Sequence, residues 1–278
     1  MNTSDLISFY EKTSRVEGWL SFHDVAVFDS ILSQQVAARI EGDLLEIGVY
    51  AGKSAVLLGQ YQQKSEVFHV CDIFDVPTDD KNTEEILSSY ENLSRKRFEA
   101  NCMEFLESLP TIHECLSRDL AIKLKGYFFR FIHIDGSHLY DHVRADLNFA
   151  VESLADSGGL IAVDDYRAQH TVGVAVAVWD LVLAGVLVPR VMTPAKIYLS
   201  KPEAEFDLSG LEEKLNSLEI QYVYEEIQQN RVLRTVGLTD SQLYSGSNPL
   251  TPYLPPIFVT FIRKTYFWKK LRTFRASL

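Results

Sequence analysis

Two apolar runs in the middle of the chain each end in acid: FIHI leads into Asp135, and LIAV leads into Asp164 and Asp165. Neighbouring parallel strands lie about 4.8 Å apart, so carboxylates at their C-terminal ends can converge on one point. Carboxylates held together repel unless a cation lies between them, and a hard, oxygen-rich site of this kind suits Mg²⁺, Mn²⁺ or Ca²⁺. A single strand-end Asp is usually the N-cap of the following helix. That explanation accounts poorly for three. His138, three residues after Asp135, adds an imidazole that titrates near neutrality and could remove a proton from a hydroxyl; the alternative is a helix-start histidine bonded to backbone. His133 lies inside its strand and reads as a satisfied core histidine. His142 has no assigned role, and His170, shortly after Asp165, is placed to line a substrate pocket.

The second chemical signal is the turn in LLEIGVYAGKSAVLLG, where Glu46 ends a strand, Gly48 and Gly52 follow, and Ser54 opens a helix. Glycines here let the backbone turn tightly and approach a ligand, and the helix start offers free N–H groups. A phosphate-binding loop needs GxxxxGK[ST], and GVYAGKS is one residue short. The dinucleotide pattern GxGxxG is missing because Tyr50 stands two after Gly48. What remains, E-x-G-x-x-x-G-x-S, resembles motif I of the class I S-adenosylmethionine (SAM) methyltransferases, in which the turn passes beside the amino-acid part of SAM. The next strand ends in VFHVCDIFD; Asp72 there can accept from both ribose hydroxyls, with Asp75 as the competing choice. The third strand's end, CLSRDL, corresponds to the adenine region, through Ser117 or Asp119.

Elements that hold these residues follow from periodicity. Val25, Phe28, Leu32 and Val36 recur at helical spacing, so an amphipathic helix precedes the first strand. Strands are expected at 43–47, 67–71, 113–116, 128–134 and 160–163, with helices over 54–62, 84–109, 140–154 and 172–184 between them. Such alternation predicts a parallel sheet covered on both faces, with functional groups at the strands' C-terminal ends. Val191 and residues 196–200 suggest a closing hairpin around Thr193-Pro194, and 208–219 a helix. The fold class expected is a Rossmann-like, mostly parallel seven-stranded α/β sheet. It divides into an N-terminal helical segment (1–40), a SAM-binding domain (41–201) and a C-terminal extension (202–278) whose architecture the pattern does not reveal.

Taken together, D-G-S-H-x-Y, G-G-L-I-A-V-D-D-Y and motif I closely resemble a family of metal-dependent O-methyltransferases of sugars and other hydroxylated natural products. Macrolide-sugar and aminocoumarin-sugar enzymes belong to it, and cephalosporin hydroxylase-like proteins share its fold and site. The resemblance spans about Val16 to Lys201. It implies SAM held by Glu46, Gly48, Gly52, Ser54, Asp72, Ser117 and Asp135, a Mg²⁺-like ion on Asp135, Asp164 and Asp165, and His138 as general base where catechol-type relatives carry lysine. The reaction implied is single-displacement O-methylation of a small hydroxylated acceptor, a sugar or glycan among the candidates. A hydroxylase-like activity on the same scaffold, and a non-catalytic SAM- or glycan-binding subunit, are the competing readings.

The whole chain agrees with an ordinary soluble enzyme. Its 278 residues, 46% hydrophobic, suffice for one α/β domain with an appendage. Cys71, Cys102 and Cys115 have no CxxC spacing, which suggests neither a disulfide framework nor a thiolate zinc site. No apolar run reaches the roughly 18 residues of a membrane span, and the N-terminus lacks a signal-peptide core, so a cytoplasmic location is expected. Net charge is −11, yet six basic residues and no acid lie beyond Ile262, leaving −17 on residues 1–262. An acidic body argues against nucleic acid as the main partner. The basic, aromatic tail could lie on an anionic membrane surface, but packing on the acidic body or on a second subunit of a homo-oligomer is the favoured expectation.

Overall fold

The computed structural model describes residues 1–74 and 94–236. Helices α1 (Thr3–Thr13) and α2 (Phe22–Ala37) come first, each opened by a polar N-cap: Asn2 accepts from the Asp5 amide and Ser21 from the Asp24 amide. Strand β1 (Asp43–Ile47) leads into α3 (Lys53–Gly59), then β2 (Phe68–Asp72), α4 (Arg95–Phe105) and β3 (Thr111–Glu114). A 3₁₀ turn (Ser117–Asp119) and α5 (Leu120–Lys123) precede β4 (Phe129–Ile134), α6 (Tyr140–Ser153), β5 (Leu160–Val163) and α7 (Val172–Leu183). The described chain closes with β6 (Val188–Met192), β7 (Ile197–Ser200), α8 (Ser209–Ser217), β8 (Tyr222–Ile227) and β9 (Asn230–Thr235).

These strands form one sheet in the order β3-β2-β1-β4-β5-β7-β6-β9-β8. The first five are parallel; β1, β2, β4 and β5 are buried along nearly all their length, which is why they read as apolar runs, whereas the edge strand β3 is half-exposed. The expected seven strands are present, and β8 and β9 add an antiparallel pair beside β6, making nine among the described residues. The N-terminal part contributes two helices rather than one. The expected segment 84–109 is a helix only over Arg95–Phe105 within the described residues.

Separate apolar clusters cover the two sheet faces. Helix α2 is buried along most of its length, and Phe28 meets Phe131, His133 and Tyr198 edge-on at 5.1, 5.2 and 5.8 Å. Near the strands' N-terminal ends the fully buried Arg130 donates to Glu66 Oε1 and Oε2, each at 2.8 Å, and to the Tyr61 carbonyl at 2.7 Å. No helix among the described residues is long and apolar enough to cross a membrane. The strand order reverses between β1, which pairs with β2 on one side, and β4 on the other, so the crevice at their C-terminal ends is the place for a ligand.

Candidate active site

The glycine turn after β1 is built for close approach. Gly48 has φ +82°, and a Cβ there would come within 2.0 Å of the Asp135 carbonyl oxygen, so only glycine lets the loops after β1 and β4 touch. Gly52, φ +90°, is the N-cap of α3 and packs against Phe98. Tyr50 between them is also left-handed, with φ +46°. Asp72 fastens this turn to β2: its Oδ2 accepts from the amides of Val49 at 2.8 Å and Tyr50 at 3.1 Å, and its Oδ1 from Phe74 at 3.0 Å. Burial raises the Asp72 carboxyl above its usual range, with the backbone hydrogen bonds opposing. Asp75 lies outside the described residues.

Glu46 is fully buried on β1, where its Oε1 accepts from Ser54 Oγ and lies 2.7 Å from His133 Nδ1. One carboxyl thus ties β1 to α3 and β4. Burial pushes it up to about 8 against the opposing Ser54 hydrogen bond and Lys196 charge, and Oε2 has no hydrogen-bond partner. The same burial holds His133 well below its usual value, so it stays neutral as a core histidine. Ser117 opens the 3₁₀ turn after β3, beside α6.

Asp135, Gly136, Ser137, His138 and Asp164 line a small open cleft at the ends of β4 and β5. Ser137 Oγ lies 2.9 Å from His142 Nδ1, which gives that histidine a place in the loop. His138 Nε2 is 3.3 Å from Asp165 Oδ2, and the His170 ring stands edge-on to His138 at 6.1 Å. Asp165 is itself left-handed, φ +55°, with its carbonyl accepting from Thr171 Oγ1 at 2.6 Å. Burial alone would raise the Asp165 carboxyl; the His138 contact and the charges of Lys196 and His170 outweigh it and hold it below its usual range.

The three carboxylates do not share one point as the sequence leads one to expect. Asp135 and Asp164 face Lys196, whose Nζ lies 2.8 Å from Asp164 Oδ2 and 3.6 Å from Asp135 Oδ2, while Asp165 turns to His138. Among the described residues no group of three or more His, Cys, Asp or Glu is arranged to hold a metal ion. As these side chains stand, Asp135 and Asp164 form ion pairs with Lys196 and Asp165 pairs with His138. Lys196 is the residue that sequence reasoning missed, having been read only as the start of a hairpin strand. Its signal was present: a lysine leading into the buried run IYLS must find a counter-charge.

Residues 45–166 match the family model Methyltransf_24, described as a methyltransferase domain. This segment carries the glycine turn and the parallel strands β1 to β5 of the Rossmann-like sheet, and its similarity is to a methyltransferase domain. Among solved structures, the O-methyltransferase NovP is similar in fold with a TM-score of 0.52 and 15% identity, covering 64% of this chain and 80% of its own. The calicheamicin methyltransferase CalS11 reaches 0.48 and 15% identity, covering 72% of this chain and 92% of its own. TomG, an O-methyltransferase from Streptomyces achromogenes in complex with SAM, reaches 0.42 and 15% identity over 70% of this chain and 86% of its own. No curated protein matches the chain by sequence.

Proposed function

We propose that the protein transfers a methyl group from SAM to a hydroxyl of a small acceptor, a sugar or another hydroxylated natural product. The observation that carries this reading is the His138–Asp165 pair, 3.3 Å apart, at the cleft beside the glycine turn. Methyl transfer needs an oxygen placed in line with the methyl carbon and relieved of its proton. A histidine whose Nε2 faces an ionised carboxylate can hold that proton as imidazolium, with Asp165 stabilising the charge.

The residues present suit SAM. Gly48 and Gly52 take up the left-handed backbone that the tight turn requires, Asp72 fixes its amides, and the orphaned Glu46 Oε2 is a buried polar atom with capacity for a partner. Glu46, Gly48, Gly52, Ser54, Asp72, Ser117 and Asp135 are the residues we assign to holding it. Bound SAM would supply an activated methyl at its sulfonium for the acceptor oxygen to take, and His138 would accept the proton that this hydroxyl gives up. A divalent ion on Asp135 and Asp164 does not fit beside the Lys196 ammonium as these side chains stand. We place the enzyme in the cytoplasm, acting on small molecules and as a homo-oligomer.

The test is release of S-adenosylhomocysteine on incubation of the full chain with SAM and panels of hydroxylated acceptors, nucleotide sugars and glycosylated natural products included. Acceptor-dependent release with a methyl ether in the product supports the reading. SAM binding without release on any acceptor, together with acceptor binding, would make the protein a binding subunit.

A further inference from the structure

We infer that Lys196 occupies, as a fixed side-chain cation, the place between the strand-end carboxylates that a divalent metal would need, and that methyl transfer here runs without one. The second half of this rests on the methyltransferase reading of the cleft; the first half stands on geometry alone.

The fold leaves the ammonium little choice of position. β7 runs antiparallel to β5 in a register that pairs Val163 with Ile197, so the next residues along, Asp164 and Lys196, face each other. The turn before β7 is buckled on both sides: the Lys196 amide donates to Thr193 Oγ1 at 2.8 Å, and the Thr193 amide donates to the Lys196 carbonyl at 2.8 Å. Thr193 Oγ1 in turn donates to Asp24 Oδ1 at 2.6 Å, and Tyr198 Oη donates to the same oxygen at 3.0 Å, anchoring the turn to the buried face of α2. The Lys196 side chain is 1% exposed. A buried ammonium is tenable only beside counter-charge, and Asp164, Asp135 and Asp24 supply it. Burial opposes the charge, but these carboxylates outweigh it and hold the ammonium above its usual range.

A divalent ion bound by Asp135 and Asp164 would sit about 2.0 to 2.6 Å from their oxygens. Nζ already lies 2.8 Å from one of those oxygens, so ion and ammonium would compete for one space and repel across it. The third expected ligand, Asp165, is engaged by His138. Lys196 is closed off from the cleft and is thus a positioning residue: it neutralises Asp135 and Asp164 so that they can stand together beside the glycine turn.

The test titrates the full chain, with SAM present, with Mn²⁺ and follows the free ion by electron paramagnetic resonance; it needs no acceptor and so cannot fail merely because the methyl-transfer reading fails. The expected result is no saturable binding by the wild type through millimolar Mn²⁺, and uptake of one equivalent by K196A that K196A/D164N loses. Should circular dichroism show K196A unfolded, K196Q takes its place. One equivalent bound by the wild type and lost in D164N overturns the proposal, as does a folded Lys196 variant that binds none. Once an acceptor is known, S-adenosylhomocysteine release undiminished by EDTA supports the metal-free reaction, and loss restored by Mg²⁺ overturns it.

Discussion

His138 and Asp165 divide the work that a lone base would have to do. His138→Ala is expected to lower turnover by about 10² to 10⁴ while leaving SAM affinity unchanged, which acceptor kinetics beside calorimetry will check. Asp165→Asn keeps the shape but removes the charge facing Nε2, so it should lower kcat with little change in SAM affinity. Near-normal turnover in both would return the pair to a structural role. Glu46 provides a second, acceptor-free prediction. Its folded carboxyl is raised to about 8 from an ordinary 4.5, mainly by burial. A raised folded value means that the protonated form is the one that fits: the contribution is fully present below the unfolded value and is lost as pH rises through about 8. Glu46→Gln imitates that form, so thermal unfolding of the wild type should lose on the order of a few kcal/mol relative to the variant between about pH 4.5 and 8. Parallel curves across that window would show that Glu46 is ionised in the fold.

At the scale of elements, the turn after β1 is where glycine chemistry and sheet packing meet. Gly48→Ala forces a side chain onto the Asp135 carbonyl and into φ +82°, which costs at least about 1 to 2 kcal/mol before the clash. Both lower thermal stability and loss of SAM binding by calorimetry are expected; normal SAM affinity in a folded variant would place the cofactor elsewhere. The central parallel strands were legible because they are buried: residues 43–47 and 160–163 match the structure end to end, and the site-bearing loops follow them. The β8–β9 hairpin was not legible, for a physical reason. Its two-residue turn uses Gln228 and Gln229 in left-handed conformations, φ +48° and +66°, where the recognisable signal would be Asn-Gly or Asp-Gly. The pairing of Asp164 with Lys196 was hidden likewise, because it depends on antiparallel register across a strand insertion that no local spacing records. Asp72 was found in the expected place, yet three backbone amides already occupy its oxygens, a demand set by the turn's conformation rather than by residue type.

At the scale of the molecule, stability and chemistry sit at opposite ends of the sheet. Arg130 and Glu66 are paired in the interior near the strands' N-terminal ends, away from the cleft after β4 and β5. Arg130→Met leaves Glu66 without its counter-charge and Gln35 Oε1 without its donor, a loss of about 3 to 5 kcal/mol for breaking a buried pair. Because those groups do not touch the glycine turn, the variant should melt lower yet bind SAM with unchanged affinity below its melting range; a parallel fall in affinity would mean that the two ends are coupled through the sheet. The same division extends along the chain. Residues 1–236 form one compact unit, and the nine strands and two apolar clusters found among the described residues lie in it. The basic, aromatic tail from Arg263 onward, with its expected packing or membrane contact, lies outside the described residues. A chain ending at Val236 is expected to unfold cooperatively and to bind SAM as the full chain does, measured by circular dichroism and calorimetry. Flotation of the full chain with anionic vesicles then isolates what the tail adds. Salt-sensitive binding lost with the tail marks a membrane surface; no binding, with loss of self-association in the shortened chain, marks packing between copies. A truncated chain that fails to fold would show that residues 1–236 depend on residues 237–278 for their stability.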